Sequence, residues 1–221
     1  MTEKSGVYVT PRGVFRYPRL NSPDTRFRET GEYHVQLVLS KDDAEDLINL
    51  VTEAHDDWYK RYVLEKKQLK ANPRKKAPYP FTVEVDPETG LETGNVIFKF
   101  KMSASGVSKR TGQTWTRRPV VFDSKGVPIN LDKVMIKGGS EGRIAFSFYE
   151  YESTPQQGAG VSLKIEAVQV LKLVTGDGNR SAQDFGFQIE EGYTERQAED
   201  DLLDPDPIDS DGGADAETGD F

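Results

Sequence analysis

A single helical stretch interrupts a chain that otherwise alternates with the two-residue period of strands. Over residues 41–70, apolar side chains fall at Ala44, Leu47, Ile48, Val51, Ala54, Trp58 and Tyr62, the three-and-four spacing of one helix face. Ser40 stands where an N-cap is needed, and acidic residues crowd the first turn, where the helix dipole favours them. Asp56 with Lys60 and Asp57 with Arg61 are four apart and read as supportive pairs. A helix of about thirty residues is roughly 45 Å long, more than a small barrel needs as a plug, so its end is expected to project or fray.

Around it, several runs alternate as half-buried strands do. "EYHVQLVL" puts Tyr33, Val35, Leu37 and Leu39 on one face, and "NVIFKFKMS" sets Val96, Phe98, Phe100 and Met102 against Lys99, Lys101 and Ser103. "GRIAFSFYEY" separates Ile144, Phe146 and Phe148 from Arg143, Ser147, Tyr149 and Tyr151, and "VSLKIEAVQVLKLV" turns Val161, Leu163 and Ile165 inward. "RTGQ" and "DSKG" punctuate these runs as hairpin turns. Five or six strands and one helix predict a mainly β protein: a small antiparallel β-barrel of the OB-fold type, braced by one long α-helix.

The net charge of −8 averages two unlike parts. Residues 189–221 hold thirteen acidic residues and one basic one, whereas residues 98–147 hold ten basic and three acidic. Beyond Gly186 the chain is polar and acidic, and Pro205 and Pro207 exclude helix, so a disordered acidic tail is expected over 187–221, following one folded domain over 1–186. Behind the helix, "KANPRKKAPYP" stops regular structure with three prolines and gathers Lys70, Arg74, Lys75 and Lys76. No apolar run approaches the length of a membrane span and the first residues lack a signal-peptide pattern, so the chain reads as cytoplasmic.

The residues offer little for catalysis. There is no cysteine, hence no thiolate nucleophile and no zinc-thiolate site. His34 and His55 show no metal-ligand spacing, and His55, near the edge of the helix's apolar face, reads as a packing residue. Glu84, Asp86 and Glu88 resemble a metal-dependent nuclease cluster, but Pro87 and Gly90 mark a turn carrying solvated charge. No phosphate-cradling glycine loop is present. Neither an enzyme nor a cofactor is expected.

What stands out is cations interleaved with aromatics on faces that are not core. Lys99 and Lys101 project together, Arg143, Tyr149 and Tyr151 share a strand face, and "SKRTGQTWTRRP" adds Lys109, Arg110, Trp115, Arg117 and Arg118. Single-stranded nucleic acid calls for this mixture: cations track phosphates and rings stack on bases. A competing reading is an interaction scaffold whose acidic tail recruits basic partners without touching DNA. It gives no reason for Lys99, Lys101 and Tyr151 to line up.

The pieces "GEYHVQLVLS", "ANPRKKAPYP", "FKFKMSAS", "VVFDSKG", "IKGGSEGRIAFSFYEYESTPQQGAGVSLKIEAVQVLKLV" and the closing "GDF" make the chain similar to the single-stranded DNA-binding proteins of T-seven-like bacteriophages. The similarity spans residues 26–174 and the extreme C-terminus. It implies an OB-fold with a helix inserted between barrel strands, single-stranded DNA binding and a homodimer or higher self-association. It also implies work in phage DNA replication, recombination and repair in the cytoplasm of the infected bacterial host. The acidic tail, ending in Asp220 and Phe221, would dock the phage DNA polymerase and primase-helicase. Lys99 and Lys101 stand at the family's "FKFK" lysines and Tyr151 at its stacking tyrosine. Ser103 and Ser153 replace family aromatics, leaving Tyr149 and Trp115 as candidates to supply the stacking.

Overall fold

The computed structural model describes residues 6–26, 28–108 and 110–174. The acidic tail, Asp220, Phe221 and Lys109 therefore lie outside the described residues. Among those described, the chain forms ten strands and one helix: β1 (Tyr8–Val9), β2 (Gly13–Asp24), β3 (Glu32–Ser40), α1 (Lys41–Gln68), β4 (Phe81–Val85), β5 (Glu92–Ser103), β6 (Ser105–Val107), β7 (Thr114–Thr116), β8 (Val120–Phe122), β9 (Glu141–Glu152) and β10 (Ala159–Lys172). No described helix is long and apolar enough to cross a membrane.

Five of these strands close on themselves. β2 pairs β3, β3 pairs β5, β5 pairs β10, β10 pairs β9, and β9 returns to β2. Four seams are antiparallel, but β5 and β10 run parallel. That departs from an all-antiparallel barrel, and arithmetic requires it: an odd number of strands cannot alternate direction all the way round a closed ring. The connectivity is that of a five-stranded Greek-key barrel. Phe15, Leu20, Val35, Leu37, Phe98, Phe100, Ile144, Phe146, Leu163 and Ile165 fill its interior, each essentially without exposure. Phe100 and Phe146 meet edge-on at 5.4 Å between ring centroids.

Strand β2 was not legible in the alternation, because Pro18 and Pro23 interrupt it and the register with β3 slips between Arg16 and Arg19. β4 was read only as the turn that follows it. There Asp86 accepts the backbone N–H groups of Glu88 (2.8 Å) and Thr89 (2.9 Å), folding the β4–β5 hairpin. "RTGQ" joins β6 to β7, and in "DSKG" Asp123 accepts from the N–H groups of Lys125 and Val127.

Helix α1 is inserted between β3 and β5 and is capped as expected, the Ser40 hydroxyl accepting the Asp43 N–H at 3.2 Å. Its buried stripe is Ala44, Leu47, Val51, His55, Trp58 and Tyr62. His55 thus occupies the centre of the apolar face rather than its edge, and Ala54 is only half-buried. The expected pairs rearrange: Lys60 meets Asp57, Arg61 meets Glu150, and Asp56 turns to Lys76. Nor does the end project, since Lys66 in the last turn reaches Glu152 on β9 at 2.7 Å. The stripe's lower half packs on the start of β10, where Gly160 permits the approach: a Cβ there would lie 2.5 Å from His55 Nε2.

Candidate nucleic-acid interface

Alternation around the closed ring sends every second side chain outward, and the register lines these up in rows across the strands. One row runs Arg19, His34, Lys101, Lys164, Ser147 over β2, β3, β5, β10 and β9. The next runs from Arg16 through Gln36 to Lys99, and on β10 and β9 it continues with Ser162 opposite Tyr149. Between them opens a groove of about 330 Å³ lined by Glu32, His34, Gln36, Tyr79, Lys99, Lys101, Tyr151 and Ser162, among others.

Lys99, Lys101 and Tyr151 therefore converge on one cavity. Both lysines are exposed, and neither has a carboxylate partner among the described residues. Tyr151 is half-buried, which pushes its phenol pKa up. Tyr149, one outward step along β9, is 59 % exposed and offers an open ring face.

The far wall is the proline-rich arm between α1 and β4, and the helix fixes it in place. Ala77 N–H donates to the Ala159 carbonyl and Ala159 N–H to that of Lys75, both at 2.9 Å. Tyr59 donates its hydroxyl to the Arg74 carbonyl, and Arg74 N–H donates to the Tyr62 hydroxyl. Asp56 accepts from Lys76 Nζ and from the Tyr79 hydroxyl; these bonds, that of Lys76 foremost, hold its carboxyl below the usual range. Tyr79 is thereby pinned, stacked on Phe81 at 5.4 Å and tilted against His55 at 5.0 Å, with Pro78 and Pro80 beside it in the groove. Burial first, then the Lys76 charge, keep His55 below the ordinary histidine range, and neither ring nitrogen has a hydrogen-bond partner among the described residues.

The hairpin β6–β7 extends from the end of β5. Trp115 lies across Gly106, where a Cβ would come within 2.5 Å of the indole, so the ring packs on its own hairpin. Arg117 covers it at 4.4 Å and donates to the Ser103 carbonyl at 2.9 Å, a cation–π stack held in position. Arg110 is exposed in the connecting turn. Two other residues are placed apart from the groove. Arg118 pairs with Asp132 at 2.9 Å and donates to the Asn21 carbonyl, bracing the loop before β9. Arg143 sits opposite Gln169, six residues along β9 from Tyr149, a separation of about 20 Å at the rise of an extended strand.

Lys164, His34, Gln36 and Tyr79 were absent from the sequence-derived set. Lys164 could have been found: it has the parity opposite to Leu163 and Ile165 in "VSLKIE". Burial works against ionisation of Glu166, but hydrogen bonds from Lys164 (2.8 Å) and Ser147 (2.6 Å) hold it below the usual carboxylate range, and the Arg117 charge adds to this. The nuclease reading fares poorly. Asn95, Thr93 and Arg16 all engage Glu84, bringing it down to about 2, and Asp86 is committed to its turn. Among the described residues no group of three His, Cys, Asp or Glu is arranged to hold a metal ion.

Comparison with known proteins shows the family. The family described as single-stranded DNA-binding protein, bacteriophage T7, matches residues 11–173. The single-stranded DNA-binding protein of Enterobacteria phage T3 is 31% identical over 206 residues, 86% of each chain. Its counterpart from Escherichia phage T7 is 32% identical over 171 residues, 74% of this chain and 71% of that one. The crystal structure of gp2.5, the bacteriophage T7 single-stranded DNA-binding protein, superposes with a TM-score of 0.67 at 27% identity, covering 86% of this chain and 99% of that one. The bacteriophage Enc34 protein, solved in complex with single-stranded DNA, shares the fold at a TM-score of 0.53 and 18% identity, over 79% of this chain and 91% of that one. The chain belongs to the bacteriophage T7 family of single-stranded DNA-binding proteins.

Proposed function

From that membership we propose that this protein binds single-stranded DNA on the outer face of its barrel, read as an OB-fold, and that it is a binding protein rather than an enzyme. The observation that carries the reading is the groove in which Lys99 and Lys101, without carboxylate partners among the described residues, face Tyr151. The lysines attract the phosphates, and Tyr151, Tyr149 and the pinned Tyr79 offer rings to unpaired bases, at roughly 1–3 kcal/mol per stacked base. A duplex keeps its bases stacked inside and cannot use those rings.

The acidic tail completes the proposal. Its net charge of −12 over residues 189–221, tethered to the barrel, competes with DNA for the groove at an effective concentration around the millimolar range. DNA displaces it, and the freed tail, with Asp220 and Phe221 at its end, docks basic surfaces on the phage DNA polymerase and primase-helicase. The setting is replication, recombination and repair of phage DNA in the cytoplasm of the infected bacterial host, with the protein acting as a homodimer.

The test is binding of a fluorescent oligothymidine to the full-length protein and to one ending at Gly186, across a salt series. Both forms bind, the shortened one more tightly, and log affinity falls with log salt by about 0.7 per neutralised phosphate. No binding by either form rejects the DNA reading and returns the scaffold in its place.

A further inference from the structure

The outward row that crosses the groove does not stop there. Beyond Lys101 and His34 it ends on β2 at Arg19, which is exposed and has no carboxylate partner among the described residues. Between Arg16 and Arg19 the β2–β3 register slips by one residue, Tyr17 and Pro18 standing against Val35 alone. Tyr17 has φ +49° and is 71% exposed. A bulky L-residue enters that left-handed region only against steric opposition, and next to a proline the backbone is further restricted. Such a conformation persists where the surroundings impose it, and bulges re-aim side chains. Here the aim is outward, at the rim of a second concavity of about 520 Å³ lined by Val14, Arg16, Ser40, Asn95 and Gly138 among others. Its glycine side is fixed to β2: Gly139 N–H donates to the Phe15 carbonyl, and Phe15 N–H to that of Ser140.

We propose that Tyr17 and Arg19 form a second single-stranded DNA subsite, in which a base stacks on the Tyr17 ring and Arg19 holds the adjoining phosphate. The strand would leave the groove past His34 and cross β3 onto β2. This rests on the groove binding DNA as proposed above. Two features select DNA as the occupant: the register places Arg19 in one unbroken outward row with His34 and Lys101, and a cation beside an open ring repeats the chemistry of Lys99 with Tyr151. The structure thus assigns this end of the face a contact that only a longer strand can reach.

The experiment uses the full-length protein with fluorescent oligothymidines of about 4 and about 16 nucleotides, the ends of the range covered by one OB-fold. Tyr17→Gly removes the ring and suits a positive φ, so its unfolding temperature is not below that of the unaltered protein. It weakens binding of the longer oligonucleotide by about 5- to 10-fold, the low end of base stacking, and leaves the shorter one unchanged. Arg19→Ala lowers the salt slope for the longer oligonucleotide by about 0.7. The extension is overturned if both variants bind the longer strand like the unaltered protein with the same slope, or if both lengths weaken equally. A Lys99→Glu control separates the two layers. If it weakens both lengths while Tyr17→Gly has no effect, only the extension fails. If it changes neither, the groove reading fails and takes the extension with it.

Discussion

At the junction of α1 and the proline-rich arm, Lys66 and Arg74 both reach Glu152 and Lys76 reaches Asp56. In the groove next to it, Lys99 and Lys101 reach no carboxylate among the described residues. The same residue types serve opposite ends. Pairing at the junction uses the charge to fix geometry: the Asp56 bond raises the Lys76 pKa, and Lys66 lowers that of Glu152. In the groove the charge is left for a ligand to neutralise. A polyanion gains most from cations whose field is not already cancelled, so in the proposed reading the unpaired lysines mark the interface and the paired ones its support.

That contrast breaks most visibly through the groove. Lys99→Glu with Lys101→Glu weakens oligothymidine binding by about 100-fold or more, as two charge-assisted contacts become repulsive, while thermal unfolding stays within about 0.5 kcal/mol of the original. The reverse pattern belongs to the junction. Gly160→Ala drives a Cβ into the buried His55 ring and Ala77, lowering stability by about 1–3 kcal/mol in a denaturant titration.

A smaller effect comes from pH. The buried His55 has its pKa lowered below the ordinary value, so between that depressed value and about 6.5 the unfolded chain binds more protons than the folded one. Stability therefore falls as pH drops below about 6.5, by at most about 1.4 kcal/mol per pH unit from this group. His55→Gln removes that part of the slope, and an unchanged slope would assign it elsewhere. The smallest effect separates braces from contacts: Arg118→Ala, whose charge Asp132 already meets, alters DNA affinity by less than about twofold.

The folded strands that were legible are those whose alternation is uninterrupted. Phe98 and Phe100 against Lys99 and Lys101, or Leu163 and Ile165 against Lys164, announce a wall with one wet face. β2 hides because Tyr17 and Pro18 slip its register by one residue, and periodicity has no memory across a bulge. Tyr79 hides for another reason: nothing in "APYP" distinguishes a groove wall from a linker until Asp56 and His55, more than twenty residues earlier, come alongside it. Arg118 and Arg143 carry the same charge as Lys99, and only neighbours separate them: an aspartate beside one, distance along β9 from the other.

By itself the sequence determined the strand faces, the helix and its cap, the split between acidic tail and basic body, and the family, because these are written in local spacing and composition. The tertiary structure decided which outward residues share a groove, that one seam of the ring runs parallel, and which cations are already neutralised. Those properties belong to pairs of residues far apart in the chain, and a pair's distance is set only when the ring closes.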